Sequence, residues 1–231
     1  MAAEIALIVG AGSGLSASLA RLFAREGMKI AVAARDVAKL NELCTQTGAR
    51  AYRCDAADPA QVESLFEAVS RDIGEPTVVV YNASARVRGP IESLDPARVK
   101  DALAVSAFAG FLVGQQAARR MLPHGAGTIL FTGATASVKG FPQSASFAMG
   151  KFALRGLAQS MARELAPKGI HVGHVVIDGG IASSYAKTEA DRAGDRFLDP
   201  DAIAQTFLHL HRQQRSAWTW EAEVRPWTET F

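Results

Sequence analysis

The most constraining stretch of this 231-residue chain is Ile5 to Ser16, where a short apolar run, IALIV, breaks into Gly10, Ala11, Gly12, Ser13 and Gly14. A helical pattern resumes at Leu15. A run of that length ending in glycines two residues apart reads as a buried strand turning tightly into a helix. Glycines let the backbone take positive φ and let a bulky group approach closely, and the first amides of a helix are unpaired, with the positive end of its dipole behind them. The stretch therefore reads as a phosphate seat, with Gly10, Gly12, Ser13, Gly14 and Leu15 around it.

The rest of the chain alternates. Helix 14–26 carries Leu15, Leu19, Leu22 and Phe23 on one face and ends at Gly27, and KIAVAA at 29–34 reads as a second buried strand. Helix 36–47 follows with Gly48 as its cap, then strand 49–53 and a helix opened by Asp58-Pro59. Strand 77–81, a long helix 96–121 announced by Asp95-Pro96, strand 127–132, helix 145–166 and strand 169–177 continue the pattern. A last helix begins near Asp199-Pro200, and a strand around 218–225 closes the chain. Such alternation implies right-handed βαβ crossovers and a mostly parallel α/β sheet covered on both faces, with ligands beyond the carboxyl ends of the strands.

Composition narrows the function classes. With 48% apolar residues the chain can bury one large core, so 1–231 reads as a single domain. A net charge of +2 without a run of like charges lacks the electrostatic footprint of a nucleic-acid binder. The first apolar run is too short for a signal core or a membrane span, which gives the expectation of a cytoplasmic protein that binds no membrane. Cys44 and Cys54 form no CxxC and read as reduced thiols. His209 and His211 are two apart on a helix, and His171 and His174 three apart on a strand, so neither pair converges on a metal.

The second strand ends in Ala33-Ala34-Arg35-Asp36. An acidic residue at the strand end would bond the adenosine ribose, whereas a basic one beside it pairs with a 2′-phosphate. Arg35 therefore favours NADP(H), with NAD(H) the other possibility, and the position of Asp36 suggests a helix N-cap.

From the glycine turn to about residue 181 the chain resembles the short-chain dehydrogenase/reductase family. The family's T-G-x-x-x-G-x-G is met by Val9 to Ser16, with Val9 for the threonine and Ser16 for the last glycine. Asp55, followed by Ala56, is similar to the acidic residue placed near the adenine, and Tyr81-Asn82-Ala83-Ser84 to the N-N-A-G strand end. The resemblance implies a seven-stranded, doubly wound Rossmann sheet, with Asp55, Ala56, Asn82 and Ala83 around the adenosine pocket and backbone groups near Ile181 fixing the nicotinamide carboxamide. It also implies that Lys151 holds the nicotinamide ribose.

The family's active tyrosine and lysine sit four residues apart on one helix face, but here the segment reads Phe147-Ala148-Met149-Gly150-Lys151. The lysine is present and the phenol is not. The serine that binds substrate oxygen aligns with Ala134, or after a one-residue slip with Gly133 or Thr135, and the asparagine of the long helix aligns with Ser106. Positioned acid–base catalysis contributes about 10²–10⁴-fold, and orientation can contribute more, so hydride transfer can survive such losses. Lys151, Tyr185, Ser137, Ser144 and Ser146 are candidates to replace the phenol. Asp178 stands where the family has Pro-Gly, as a replacement acid/base or a turn former.

The small, polar segment 182–198 reads as a substrate lid. The tail 217–231 gathers all three tryptophans and reads as a subunit contact. Small residues around helices 96–121 and 145–166 suggest a homodimer or homotetramer built on them. Two readings follow: an NAD(P)(H)-dependent oxidoreductase of atypical active site acting on a small carbonyl or alcohol, or a non-catalytic NADP(H)-binding sensor.

Overall fold

The structure, a computed structural model, describes residues 3–185, 188 and 195–229, with the backbone alone at 184 and 185. Seven strands form one sheet: β1 (Ile5–Val9), β2 (Lys29–Ala34), β3 (Arg50–Arg53), β4 (Val78–Tyr81), β5 (Gly127–Thr132), β6 (Ile170–Ile177) and β7 (Glu221–Val224). Their order is β3-β2-β1-β4-β5-β6-β7 and every pairing is parallel, with Leu7 of β1 opposite Ala31 on one side and Val79 on the other. Parallel strands need helical crossovers on both faces, so β1, β4 and β6 are buried along their whole length rather than alternately. This is the Rossmann architecture. The strand order reverses between β1 and β4, which opens a crevice at their carboxyl ends.

The helices are α1 (Leu15–Arg25), α2 (Asn41–Thr47), α3 (Pro59–Asp72), α4 (Pro96–Leu103), α5 (Ala109–Met121), α6 (Ala145–Leu165), α7 (Ala182–Tyr185) and α8 (Pro200–Arg212). On one face of the sheet Leu19 and Phe23 of α1 and Ile203 and Phe207 of α8 pack with Ile8, Ile30 and Val32. On the other, Phe66 of α3, Val113 of α5 and Leu154 of α6 pack with Leu7, Val79 and Phe131. Phe23, Phe66 and Phe207 are fully buried, and truncation of any one to alanine should cost about 3–5 kcal/mol.

Several elements depart from the sequence expectation. The single helix expected over 96–121 is broken by a π-turn at Ala104–Phe108 between α4 and α5. Within it the Val105 carbonyl accepts a hydrogen bond from the hydroxyl of buried Tyr81. The segment expected as helix 36–47 starts as a 3₁₀ turn at Ala38–Leu40, and Asp36 Oδ1 accepts from the Ala38 amide (3.2 Å) instead of capping one long helix. The last strand is shorter than 218–225. Two of the tail tryptophans pack on their own chain: Trp218 stacks on His171 at 4.8 Å, and Trp220 faces Arg155. Trp227 is exposed. Of the segment expected as a lid, 182–198, residues 186, 187 and 189–194 lie outside the described residues.

Among the described residues no helix is long and apolar enough to cross a membrane. Nor, among them, are three or more His, Cys, Asp or Glu gathered as a metal ion would require. Cys44 and Cys54 are free thiols.

Candidate active site

The glycine turn is built by backbone. Gly10 has φ +86°, and a Cβ there would lie 2.4 Å from the Ala83 amide nitrogen, so only glycine lets β1 turn this close to the end of β4. The amides of Gly10 and Ala11 donate to the Ala33 carbonyl at 3.0 and 2.9 Å. Ser16, which stands for the last glycine of the motif, ties the turn to β4: its hydroxyl donates to the Gly10 carbonyl (3.1 Å) and accepts from Asn82 Nδ2 (2.7 Å).

Helix α1, like α5 and α6, starts without a side-chain cap among the described residues, whereas three other helices carry one. Asp58, Asp95 and Asp199 cap α3, α4 and α8, each followed by proline. Among the described residues no side chain caps α1, and its first turn holds no acid. A Cβ on Gly12 would meet nothing within 4 Å, so the turn opens directly onto space. Unpaired amides, a helix dipole and an open cradle together suit a phosphate.

From this turn a groove of about 660 Å³ runs over the ends of β1, β2 and β4, lined by Gly10, Gly12, Ser13, Ala56, Asn82 and Ala83. Arg35 and Asp55 line it as well, and so does Lys39, which sequence reasoning missed; its ammonium pairs with Asp36 at 3.3 Å. Asp55 is set by an Asx turn, its Oδ1 accepting from the Ala57 amide (3.1 Å). The groove continues as a space of about 320 Å³ past Gly14 and Leu15 to Thr132, Ala134, Phe147, Lys151 and Ile181. Ile181 bridges Leu198 through the flanking carbonyl of Gly180 and amide of Ala182 (both 2.8 Å), which leaves its own amide and carbonyl on the opposite edge of the segment.

Beyond Ala134 and Phe147 lies a further cavity of about 560 Å³, walled by Arg86, Arg88, Thr135, Phe141, Ser144 and Phe197 among others. Lys151 stands at the junction. It is 3% exposed, and its Nζ donates to the Thr132 carbonyl at 2.7 Å, its one hydrogen bond among the described residues. Burial, reinforced by the nearby charge of Arg86, pulls its pKa down to about 8. Gly150 lets α6 come this close, since a Cβ there would lie 2.6 Å from Ser106 Cβ.

The other proton-donor candidates of the sequence are differently placed. Ser137 is buried and its Oγ accepts from the Ala134 amide (3.1 Å). Ser146 is buried, accepting from the Val87 amide (3.0 Å) and donating to the Val87 carbonyl (2.9 Å). Ser146 is thus engaged by backbone as both donor and acceptor, and Ser137 as acceptor. Asp178 lines neither groove nor cavity and pairs with Arg225 at 3.4 Å. Ser144 does line the cavity, as does Thr135, the slipped alternative to Ala134. The side chain of Tyr185 lies outside the described residues.

Arg86 went unnoticed in the sequence. Its guanidinium carbon lies 3.8 Å from the centroid of the Phe147 ring, stacked where the groove meets the cavity. The one available signal was its place, four residues past Asn82 in the loop leaving a central strand.

A parallel sheet reversing at β1 and β4, with an uncapped helix on a glycine turn at that switch, defines a Rossmann α/β protein with a ligand groove at its carboxyl edge. The chain belongs to the short-chain dehydrogenase family, whose description, "short chain dehydrogenase", matches residues 4–194. It is 28% identical over 224 residues to a D-threitol dehydrogenase of Mycolicibacterium smegmatis, covering 90% of this chain and 85% of that one. It is 30% identical over 175 residues to an L-2,3-butanediol dehydrogenase of Corynebacterium glutamicum, covering 72% and 67%. Among solved structures, a short-chain dehydrogenase from Rhodopseudomonas palustris superposes with a TM-score of 0.86 at 35% identity, over 97% of this chain and 99% of that one. A metagenomic short-chain oxidoreductase in complex with NADP gives 0.85 at 26% identity, over 96% and 97%.

Proposed function

We propose that this chain, acting as one Rossmann domain over 1–231, is an NADP(H)-dependent oxidoreductase that interconverts a carbonyl and an alcohol at a centre lacking the usual phenol. The observation that carries the reading is Lys151, a buried amine with donors to spare at the end of a groove that begins on an uncapped, glycine-cradled helix.

In this reading the amides of Gly12, Ser13, Gly14 and Leu15 take the pyrophosphate, and Arg35, joined by Lys39, takes the 2′-phosphate. Asp55, Ala56, Asn82 and Ala83 form the adenosine wall. Lys151 and the backbone of Ile181 hold the nicotinamide half. The bound nicotinamide supplies or accepts the hydride. What the chain itself adds is orientation, exclusion of water by Phe147 and Ala134, and a proton-carrying group: with a pKa of about 8, Lys151 exchanges protons near neutral pH. Phe147 and Ala134 occupy the places of the family's tyrosine and serine, and Ser106 that of the asparagine. The NADP-bound structural neighbour and the two named relatives, a threitol and a butanediol dehydrogenase, support this class of chemistry.

The same reading includes a homo-oligomer. Phe108 of the π-turn, Phe111 of α5, and Met149 and Phe152 of α6 are large apolar side chains left exposed on neighbouring elements, as a subunit contact requires. Equilibrium sedimentation should show a dimer or tetramer that Phe111→Glu with Phe152→Glu reduces to monomer.

Activity is tested by following nicotinamide absorbance over a panel of ketones, oxo acids and alcohols. Turnover in the parent that disappears in Lys151→Ala supports the enzyme. Cofactor uptake without turnover on any of the panel leaves the non-catalytic binder as the better account.

A further inference from the structure

Phe147, Arg86 and the loop between them and β4 form an arrangement that the loss of a phenol does not by itself explain. The two residues flanking Arg86 are each clamped by a buried serine. Ser106 Oγ accepts from the Ala85 amide (3.0 Å) and donates to the Ala85 carbonyl (3.1 Å), while Ser146 Oγ does the same for Val87 at 3.0 and 2.9 Å. Both serines are 0% exposed. A third point, the Gly89 amide donating to the Gln143 carbonyl (3.2 Å), ties the loop to the segment before α6. Arg86 is therefore held at its backbone on both sides and at its side chain by the Phe147 ring. A planar guanidinium fixed before its ligand arrives keeps its bidentate face available at little entropic cost.

The charge around it is one-sided. Three ionisable side chains, Lys151, Arg86 and Arg88, line the cavity and the adjoining end of the groove among the described residues, and all are cations. Arg86 and Arg88 pair with no carboxylate among the described residues, whereas Arg155 and Arg225 nearby are matched to Glu221 and Asp178. The repulsion is already felt, since the Arg86 charge helps depress the Lys151 pKa. Arg86 and Arg88 are exposed to solvent at the rim of this half-open pocket of ligand size, and positive charge gathered there attracts an anion. Arg88 lines the cavity and not the groove, so the charge extends away from the phosphate turn.

We infer that the substrate of this centre is a carboxylate, a short oxo acid or its hydroxy acid, whose carboxylate is gripped by Arg86 stacked on Phe147 and assisted by Arg88 at the cavity wall. The inference rests on the oxidoreductase reading above and supplies its substrate class. Phenylalanine in place of tyrosine then has a positive role: it is the flat apolar surface on which the guanidinium lies, which a phenol hydroxyl pointing into the junction would crowd. Ser106 and Ser146 are positioning residues for Arg86, and Arg86 is the residue that touches substrate.

Calorimetric titration with oxamate and malonate, set beside methyl oxamate and dimethyl malonate, tests this in the parent with and without saturating NADPH. At least one anion should bind roughly tenfold or more tightly than its neutral ester. Arg86→Gln should remove that preference, Arg86→Lys should keep only part of it, and Arg88→Gln should weaken it several-fold. Ser146→Ala should weaken the anion several-fold while leaving NADPH affinity unchanged, a split that general loosening of the fold would not give. Equal binding of acid and ester, or an anion preference that survives Arg86→Gln, overturns the inference. So does a tenfold loss of NADPH affinity in Arg86→Gln, which would give the arginine to the dinucleotide. Failure of NADPH to bind at all would instead strike the oxidoreductase reading, and the titrations without NADPH still decide whether the cavity selects anions.

Discussion

Where the glycine turn meets β2, the groove is walled by backbone and small side chains, and charges of both signs line it: Arg35 and Lys39 beside Asp36 and Asp55. Where Lys151 meets Phe147, the wall is made of side chains and every ionisable group lining it among the described residues is a cation. The first end asks only that amides be presented along a tight turn. There the Ser16 hydroxyl braces the turn against Asn82. The second end depends on single atoms. There the Arg86 guanidinium carbon lies 3.8 Å from the centroid of the Phe147 ring.

The comparison can be broken at several points. The largest effect should come from Lys151→Ala, with turnover down about 10²–10⁴-fold in a steady-state assay. A substitution at Gly10 tests the backbone end: Gly10→Val forces a side chain onto the Ala83 amide at positive φ. Strain alone costs roughly 1–3 kcal/mol, visible as a lower Tm together with loss of NADPH uptake. Phe147→Tyr with Ala134→Ser should raise turnover of neutral ketones about 10²-fold; no gain would show that the phenol is not what limits the parent. Arg35→Ala should bring NADPH and NADH affinities together, a change of about tenfold measured by nicotinamide fluorescence. Equal affinities in the parent would refute the cofactor preference.

The smallest effects are in the pH dependence of stability. Burial depresses the pKa of His174 to about 4 despite its bond to Glu221 (3.0 Å). The unfolded chain therefore takes up a proton first, and stability falls as pH drops from about 6.5 towards 4. The lowered carboxyls of Glu4 and Glu221 act in the same direction. His174→Gln should flatten that limb in denaturant titrations. Lys151 works at the other extreme. Its folded pKa of about 8 lies below its ordinary 10.5, so its contribution to stability rises between those values, and Lys151→Met should remove the rise.

The sheet was legible because parallel strands buried on both faces read as unbroken apolar runs, as IALIV and TVVVY do, and because Asp-Pro pairs mark the starts of α3, α4 and α8. The π-turn was not legible. Its Val105 carbonyl accepts from Tyr81, 24 residues away, in a contact that no local pattern records. The groove could be read residue by residue because its parts sit at strand ends, where Arg35, Asp55 and Asn82 all lie. The junction could not, since the meaning of Ser106 and Ser146 lies in which backbone groups they reach. Read as a lost asparagine and a loop hydroxyl, they are clamps on the loop that carries Arg86.

The account depends most on a dinucleotide seated between the first helix and Lys151. Isothermal titration of NADPH and NADH into the full-length protein tests this directly. The account predicts one site per chain, with NADPH bound more tightly and binding abolished in Gly10→Val. A folded protein that takes up neither nucleotide would contradict it.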